Sequence, residues 1–211
     1  MRTLVEAAAG TDYAVPILLA AMTGLRRGEL LALKWADIDL DASTTSVRRG
    51  KTGHARRTIH LPASTVTALR RHRKDQNERR LLCGEAWRNL DVVCDRGDGG
   101  PIHPDSLSHG FAAIAERVGL ADVRLHDLRH GFAVAALRGG VNLKVVAEAL
   151  GHARSSFTLD VYMHVLPGMG EQVASAIEAA LAPTSAATGS AEGPEATALP
   201  PGDPPADQPE Q

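Results

Sequence analysis

Aromatic side chains are scarce in this chain: two Trp, two Tyr and three Phe make up only 3% of its 211 residues. A core without aromatic bulk has to be filled by Ala, Leu and Val, which favours packed helices over a large β-sandwich. Cysteine is almost absent as well. Cys83 and Cys94 cannot build a disulfide framework, and no signal-peptide pattern opens the chain, so a reducing cytoplasm is the expected compartment. There is no long hydrophobic run. The longest uncharged stretch, Tyr13 to Leu25, falls well short of the ~20 residues of a membrane span and contains Pro16. Residues 183–211 lack Lys and Arg altogether and hold 7 of the 12 prolines. They read as a disordered, acidic Pro/Ala-rich tail behind a single domain at 1–182.

What is present is positive charge in one place. The formal net charge of −2 conceals this, because the tail carries Glu192, Glu195, Asp203, Asp207 and Glu210. Without those five, 23 basic residues face 20 acidic ones, and the body of the chain is +3. Arg48, Arg49, Lys51, Arg56, Arg57, Arg70, Arg71, Arg73, Lys74, Arg79 and Arg80 lie between 48 and 80 against only Asp75 and Glu78. A basic cluster of that density suits a polyanionic partner, although 70–80 alone also fits a solvated helix face.

Along the chain, Met1 to Ala9 reads as the end of a helix, and Asp12 can cap a second one running to about Thr23, with Pro16 tolerated near its start. Gly24 breaks it. A short helix from Gly28 to about Trp35 would turn Leu30, Leu31 and Leu33 inward, leaving Arg26 in a tight link from which it can point into a cleft. Thr44–Arg49 and Arg56–Leu61 are strand-like and joined by Gly50-Lys51-Thr52-Gly53-His54-Ala55, a β-hairpin with a basic tip. Pro62 and Ser64 begin a long basic helix ending before Leu81. Val92–Cys94 offers an edge strand. Pro104 opens a helix with Leu107, Phe111, Ile114, Ala115 and Val118 at helical spacing, ended by Gly119. A last amphipathic helix is expected at 170–181. The fold class is therefore mainly α with a small antiparallel hairpin sheet, α+β.

Residues 126–162, HDLRHGFAVAALRGGVNLKVVAEALGHARSSFTLDVY, carry the densest chemistry. Arg129 follows His126 by three, so on a helix imidazole and guanidinium share one face. Gly139-Gly140 ends that helix, Asn142 caps the next, and Gly151 ends it in turn, which puts His152 at a helix exit. Tyr162 lies on a further short helix. A guanidinium able to grip two oxygens, two imidazoles able to exchange protons and a phenol able to attack suit chemistry on a phosphodiester.

HDLRH at 126–130, LGH at 150–152 and TLDVYMH at 158–164 resemble the C-terminal motifs of the tyrosine recombinases, the phage-integrase family of site-specific DNA recombinases. TGLRRGELLALKWADID at 23–39 and GKTGHARRTIHLP at 50–62 resemble that family's first-arginine and lysine-hairpin motifs, in the same order. Five motifs in series make the resemblance specific. It implies that Arg26 and Arg129 clamp the non-bridging oxygens of the scissile phosphate and that Lys51 protonates the departing 5′-oxygen. Tyr162 would attack phosphorus, with His126 taking its proton and His152 donating to the phosphate. It implies no cofactor and no metal, double-stranded DNA and a tetramer of this chain as partners, and accessory proteins. Arg48, Arg49, Arg56 and Arg57 around the hairpin tip are the expected DNA contacts. The family also carries an N-terminal helical domain that closes over DNA. Met1 here falls inside what should be the first helix of the catalytic domain, so weak target affinity and weak synapsis are expected.

Other classes stay open from the residues alone. Val145–Val161 resembles a helix-turn-helix, which would make the chain a non-catalytic DNA regulator but gives Arg26, Lys51 and Arg129 no task. A type IB topoisomerase shares the nucleophile and cations. His126 and His130, four apart, could begin a zinc site but lack a clear third ligand.

Overall fold

The computed structural model describes residues 1–49 and 55–151; of 48, 49, 55 and 56 only the backbone is described. The expected Lys51, His152, Tyr162, helix 170–181 and tail 183–211 lie outside the described residues. Among the described residues the α-helices are α1 (Arg2–Ala8), α2 (Ala14–Thr23), α3 (Arg27–Leu31), α4 (Ala63–Cys83), α5 (Pro104–Arg117), α6 (Asp127–Arg138) and α7 (Leu143–Leu150). Strands β1 (Ile38–Asp39), β2 (Thr44–Arg49) and β3 (Ala55–His60) form one antiparallel sheet in that order. The architecture is mainly α with a small antiparallel sheet, as the composition implies.

Helix α2 is apolar nearly all round, and such a helix has to be surrounded. It packs against α1, α3, α4 and α6, and Ile17, Leu19, Ala20 and Ala21 are buried. Burial of each Leu or Ile in it contributes about 1.5–3 kcal/mol. Helix α5 adds Leu107, Phe111, Ile114 and Ala115 from one face. A second, smaller core joins α6 to α7 through Ala133, Leu137, Val146 and Leu150. Asn142 caps α7 by accepting the Lys144 N–H at 2.8 Å. Gly24 and Gly151 close α2 and α7 in the left-handed region, φ 62° and 67°. A Cβ on Gly24 would lie 2.7 Å from a Leu150 methyl and 2.8 Å from the Phe132 ring, so a side chain here would have to displace both in addition to adopting the left-handed backbone. Among the described residues no helix is long and apolar enough to cross a membrane.

Four expectations differ from what is found. Asp12 does not cap α2: the cap position is Tyr13, whose N–H is taken by the Thr11 hydroxyl at 3.3 Å. The helix expected at Gly28–Trp35 is Arg27–Leu31, because Leu33 to Trp35 turn away to bond the segment 91–93, with Trp35 N–H on the Asp91 carbonyl at 3.0 Å. Val92–Cys94 consequently makes only an isolated bridge, Lys34 to Val92, and the third strand of the sheet is β1. Helix α4 begins after Pro62 without a side-chain cap and runs past Leu81 to Cys83, since nothing breaks it before Gly84. Leu81 and Leu82 are exposed as a result.

Candidate active site

Helix α7 ends with carbonyls that have no partner inside the helix. Three consecutive ones are taken by three arginines from three different elements. Arg57 on β3 donates Nε to the Ala149 carbonyl at 2.8 Å. Arg129 on α6 donates Nη2 to the Leu150 carbonyl at 2.6 Å, and its Nη1 donates to the Gly24 carbonyl at 2.6 Å. Arg26, at the start of α3, reaches the Gly151 carbonyl with Nη2 at 3.4 Å. Cations at a helix C-terminus also meet the negative end of its dipole.

One carboxylate organises these cations. Glu29 Oε1 accepts from Arg57 Nη1 at 3.0 Å and from Arg26 Nη1 at 3.1 Å, while Oε2 accepts from Arg57 Nη2 at 2.7 Å and from the Arg26 backbone N–H at 2.9 Å. Burial opposes the ionisation of Glu29, but the Arg57 hydrogen bonds, the Arg26 N–H and the charges of both arginines outweigh it and hold its carboxyl below the usual range. Burial pushes the Arg129 guanidinium down to about 10, with the charges of Arg26 and Arg57 adding to the effect against that of Glu29. It remains charged at neutral pH.

The residues differ in access. The Arg129 residue is 4% exposed, the Arg57 side chain 10% and that of Glu29 16%, whereas the Arg26 side chain is 45% exposed. Arg26 thus presents an open guanidinium face, and Arg129 retains N–H groups beyond the two given to carbonyls. Three cations around one anion leave the cleft with a surplus of positive charge. Such a surplus, from planar donors that stay charged, fits a tetrahedral anion.

His126 is the residue before the first turn of α6, and its ring meets that of His130 edge to face at 5.0 Å. Partial burial, then the charges of His130, Arg129 and Arg26, lower its pKa below 6.5 against an opposing effect of Asp127. The imidazole is therefore neutral at neutral pH and able to accept a proton. Among the described residues no group of three or more His, Cys, Asp or Glu could hold a metal ion.

The described structure thus brings Arg26, Arg129 and His126 to one place. It turns the Arg57 guanidinium inward, onto Glu29 and α7. Lys51, His152 and Tyr162 lie outside the described residues, as do the side chains of Arg48, Arg49 and Arg56. Glu29 is the residue that sequence reasoning missed. Its signal was an acid three positions after Arg26 in TGLRRGEL, the spacing at which a side chain reaches back to a helix start.

A helical body, a small three-stranded sheet and arginines delivered from α3 and α6 to the end of α7 define a catalytic domain of the tyrosine recombinase type. The chain belongs to the phage integrase family, which residues 1–168 match. It is 33% identical over 193 residues to a XerC-like tyrosine recombinase of Caldanaerobacter subterraneus subsp. tengcongensis, covering 79% of this chain and 49% of that one. With the tyrosine recombinase XerC of Roseiflexus sp. (strain RS-1) it shares 37% identity over 166 residues, 73% of this chain and 47% of the other. The XerA recombinase structure superposes with a TM-score of 0.67 at 26% identity, over 83% of this chain and 62% of that one. XerH bound to palindromic difH substrate in a post-cleavage complex gives 0.66 at 25% identity, over 84% and 51%. The chain spans about half the length of the curated relatives it matches.

Proposed function

We propose that the chain cleaves and rejoins DNA strands in site-specific recombination, of the integration or excision kind, through a 3′-phosphotyrosyl intermediate on Tyr162. The observation that carries this reading is the convergence of Arg26 and Arg129 on the end of α7 with guanidinium N–H groups still to give. Those groups hold the non-bridging oxygens of the scissile phosphate and stabilise the charge that builds there during displacement. The Tyr162 oxygen forms the new bond to phosphorus as its proton passes to His126, and the bond from phosphorus to the 5′-oxygen breaks as Lys51 protonates the leaving group. His152 donates a hydrogen bond to the phosphate. The ester preserves the bond energy, so a second strand's 5′-hydroxyl reverses the step without ATP.

Arg48, Arg49 and Arg56 contact the duplex, the protein acts in the cytoplasm, and exchange proceeds in a homotetramer on DNA with accessory proteins. A non-catalytic regulator is not favoured, since the relatives are recombinases and a regulator has no use for the arginine convergence. The test is incubation with DNA carrying a candidate attachment site and a bridging phosphorothiolate, beside Tyr162→Phe, on a denaturing gel. A covalent band lost in the variant is expected; no band with the unaltered chain overturns the reading.

A further inference from the structure

Arg57 was expected to touch DNA, yet all three of its side-chain nitrogens are donated to protein and only 10% of the side chain is exposed. It joins three elements: its own β3, α3 through Glu29, and α7 through the Ala149 carbonyl. A Cβ on Gly151 would lie 2.8 Å from Nη1, so the guanidinium packs directly on the turn that ends α7. Glu29 Oε1 is shared between Arg57 and Arg26, at 3.0 and 3.1 Å.

That sharing has a chemical consequence. A carboxylate with Arg26 as its sole cationic partner would pair with it fully and cancel the charge needed on a phosphate. Held in two parallel bonds by Arg57, Glu29 can orient Arg26 through one oxygen and the backbone N–H without neutralising it. We propose that Arg57 is a positioning residue for strand cleavage, acting by keeping Glu29 engaged so that Arg26 stays available to the scissile phosphate, and by fixing the end of α7. This rests on the recombinase reading above. It removes Arg57 from the DNA contacts and makes β3, the strand that follows the lysine-bearing loop in sequence, part of the phosphate clamp.

The full chain is tested as unaltered protein, Arg57→Met, Arg57→Lys, Glu29→Gln and the double variant Glu29→Gln/Arg57→Met, with the phosphorothiolate DNA above. Two quantities are read: affinity against salt, and the rate of covalent-complex formation at saturating DNA. Arg57→Met is expected to lower that rate by about 100-fold, as loss of one preorganised donor to a charged centre does elsewhere. Affinity should stay within about threefold and its salt slope unchanged, because no phosphate contact is lost. Adding Glu29→Gln to Arg57→Met should recover at least about tenfold of the rate, since the amide keeps the shape but cannot neutralise Arg26.

A salt slope shallower by about 0.9 with an unaltered saturated rate would make Arg57 a DNA phosphate contact after all. A double variant no faster than Arg57→Met would reduce Arg57 to structural support, as would loss of cooperative melting in both single Arg57 variants. Arg57→Lys, expected to fall between the extremes, carries the test if the Met variant alone fails to fold. If the unaltered chain forms no covalent complex, the recombinase reading itself fails and takes this assignment with it.

Discussion

Glu29 and Asp95 are both carboxylates withdrawn from water, and they are satisfied in opposite ways. Asp95, with its side chain 0% exposed, accepts from the Gly97 and Gly99 N–H groups at 2.8 and 3.3 Å, from Gln76 Nε2 at 2.8 Å and from Arg79 at 3.0 Å. One charge meets one cation, and mostly neutral donors complete the shell. Gln76 in turn accepts from Trp35 Nε1, so the cluster ties α4 to the segment after α3 and to the glycine loop at 95–101. Glu29 instead stands among Arg26 and Arg57, and its charge also reaches Arg129. The first cluster is closed, with its charge balanced; the second keeps cations in excess. A buried carboxylate with matched partners holds a fold together, whereas one outnumbered by arginines marks a place kept ready for another anion.

Removing Arg129 breaks the second cluster most severely. Arg129→Met deletes the donors to the Gly24 and Leu150 carbonyls, leaving two nearly buried acceptors without partners, together with one half of the phosphate clamp proposed above. A loss of about 2–4 kcal/mol in unfolding free energy is expected, with a fall of about a thousandfold in covalent-complex formation well below the melting temperature. Arg129→Lys should not rescue, since a single ammonium cannot span both carbonyls. Urea melts and the denaturing-gel assay read the two effects; a Lys variant of normal rate would refute the clamp.

Asp95→Ala tests the first cluster. It strands the Gly97 and Gly99 N–H groups, takes the carboxylate from Arg79 and leaves Gln76 Nε2 with only the Val92 carbonyl, so stability should drop by about 2–3 kcal/mol. Its cleavage rate at saturating DNA should match that of the unaltered chain at temperatures where both are folded. A rate loss as large as that of Arg129→Met would erase the distinction between the two clusters.

His126 sharpens the comparison from the side of proton transfer. Its lowered pKa means that the ring gains a proton only below 6.5, so cleavage should fall on the acid side below that value and stay level above it toward neutrality. Replacing Arg26 by Met removes one of the positive charges that lower it, and should shift whatever acid limb remains upward. An acid limb above 6.5 in the unaltered chain would remove His126 from the role of base.

Much of the frame was legible because its signals are local. Gly24, Gly139-Gly140 and Gly151 stop helices, Asn142 caps one, Pro104 opens another, and the apolar spacing from Leu107 to Ala115 marks a buried face. The approximate positions of Arg26 and Arg129 followed from their motifs. The contacts that make the site did not, because they join residues 28, 92 and 125 positions apart: Arg57 to Glu29, Arg57 to Ala149 and Arg26 to Gly151. Nothing in RRTIH says that one of two adjacent arginines turns inward. The extension of α4 was hidden for the reverse reason: a leucine pair at 81–82 reads as something to be buried, and here it is exposed.

The smallest expected effect is a difference in how Glu29 and its amide respond to acid. The carboxyl of Glu29 has a folded-state pKa below its ordinary 4.5, so the unfolded chain binds its proton more readily than the folded one does. Its contribution to stability is then fully present above 4.5 and declines as pH falls through the lower, folded value. Glu29→Gln does not titrate. The stability of the unaltered chain minus that of Glu29→Gln should therefore be constant from neutrality down to about 4.5 and shrink below it, all other groups cancelling in the difference. Urea melts of the two proteins across that range measure it. A difference that grows on acidification would mean that Glu29 is held with its proton on, and the arginines around it could not then be sharing a carboxylate.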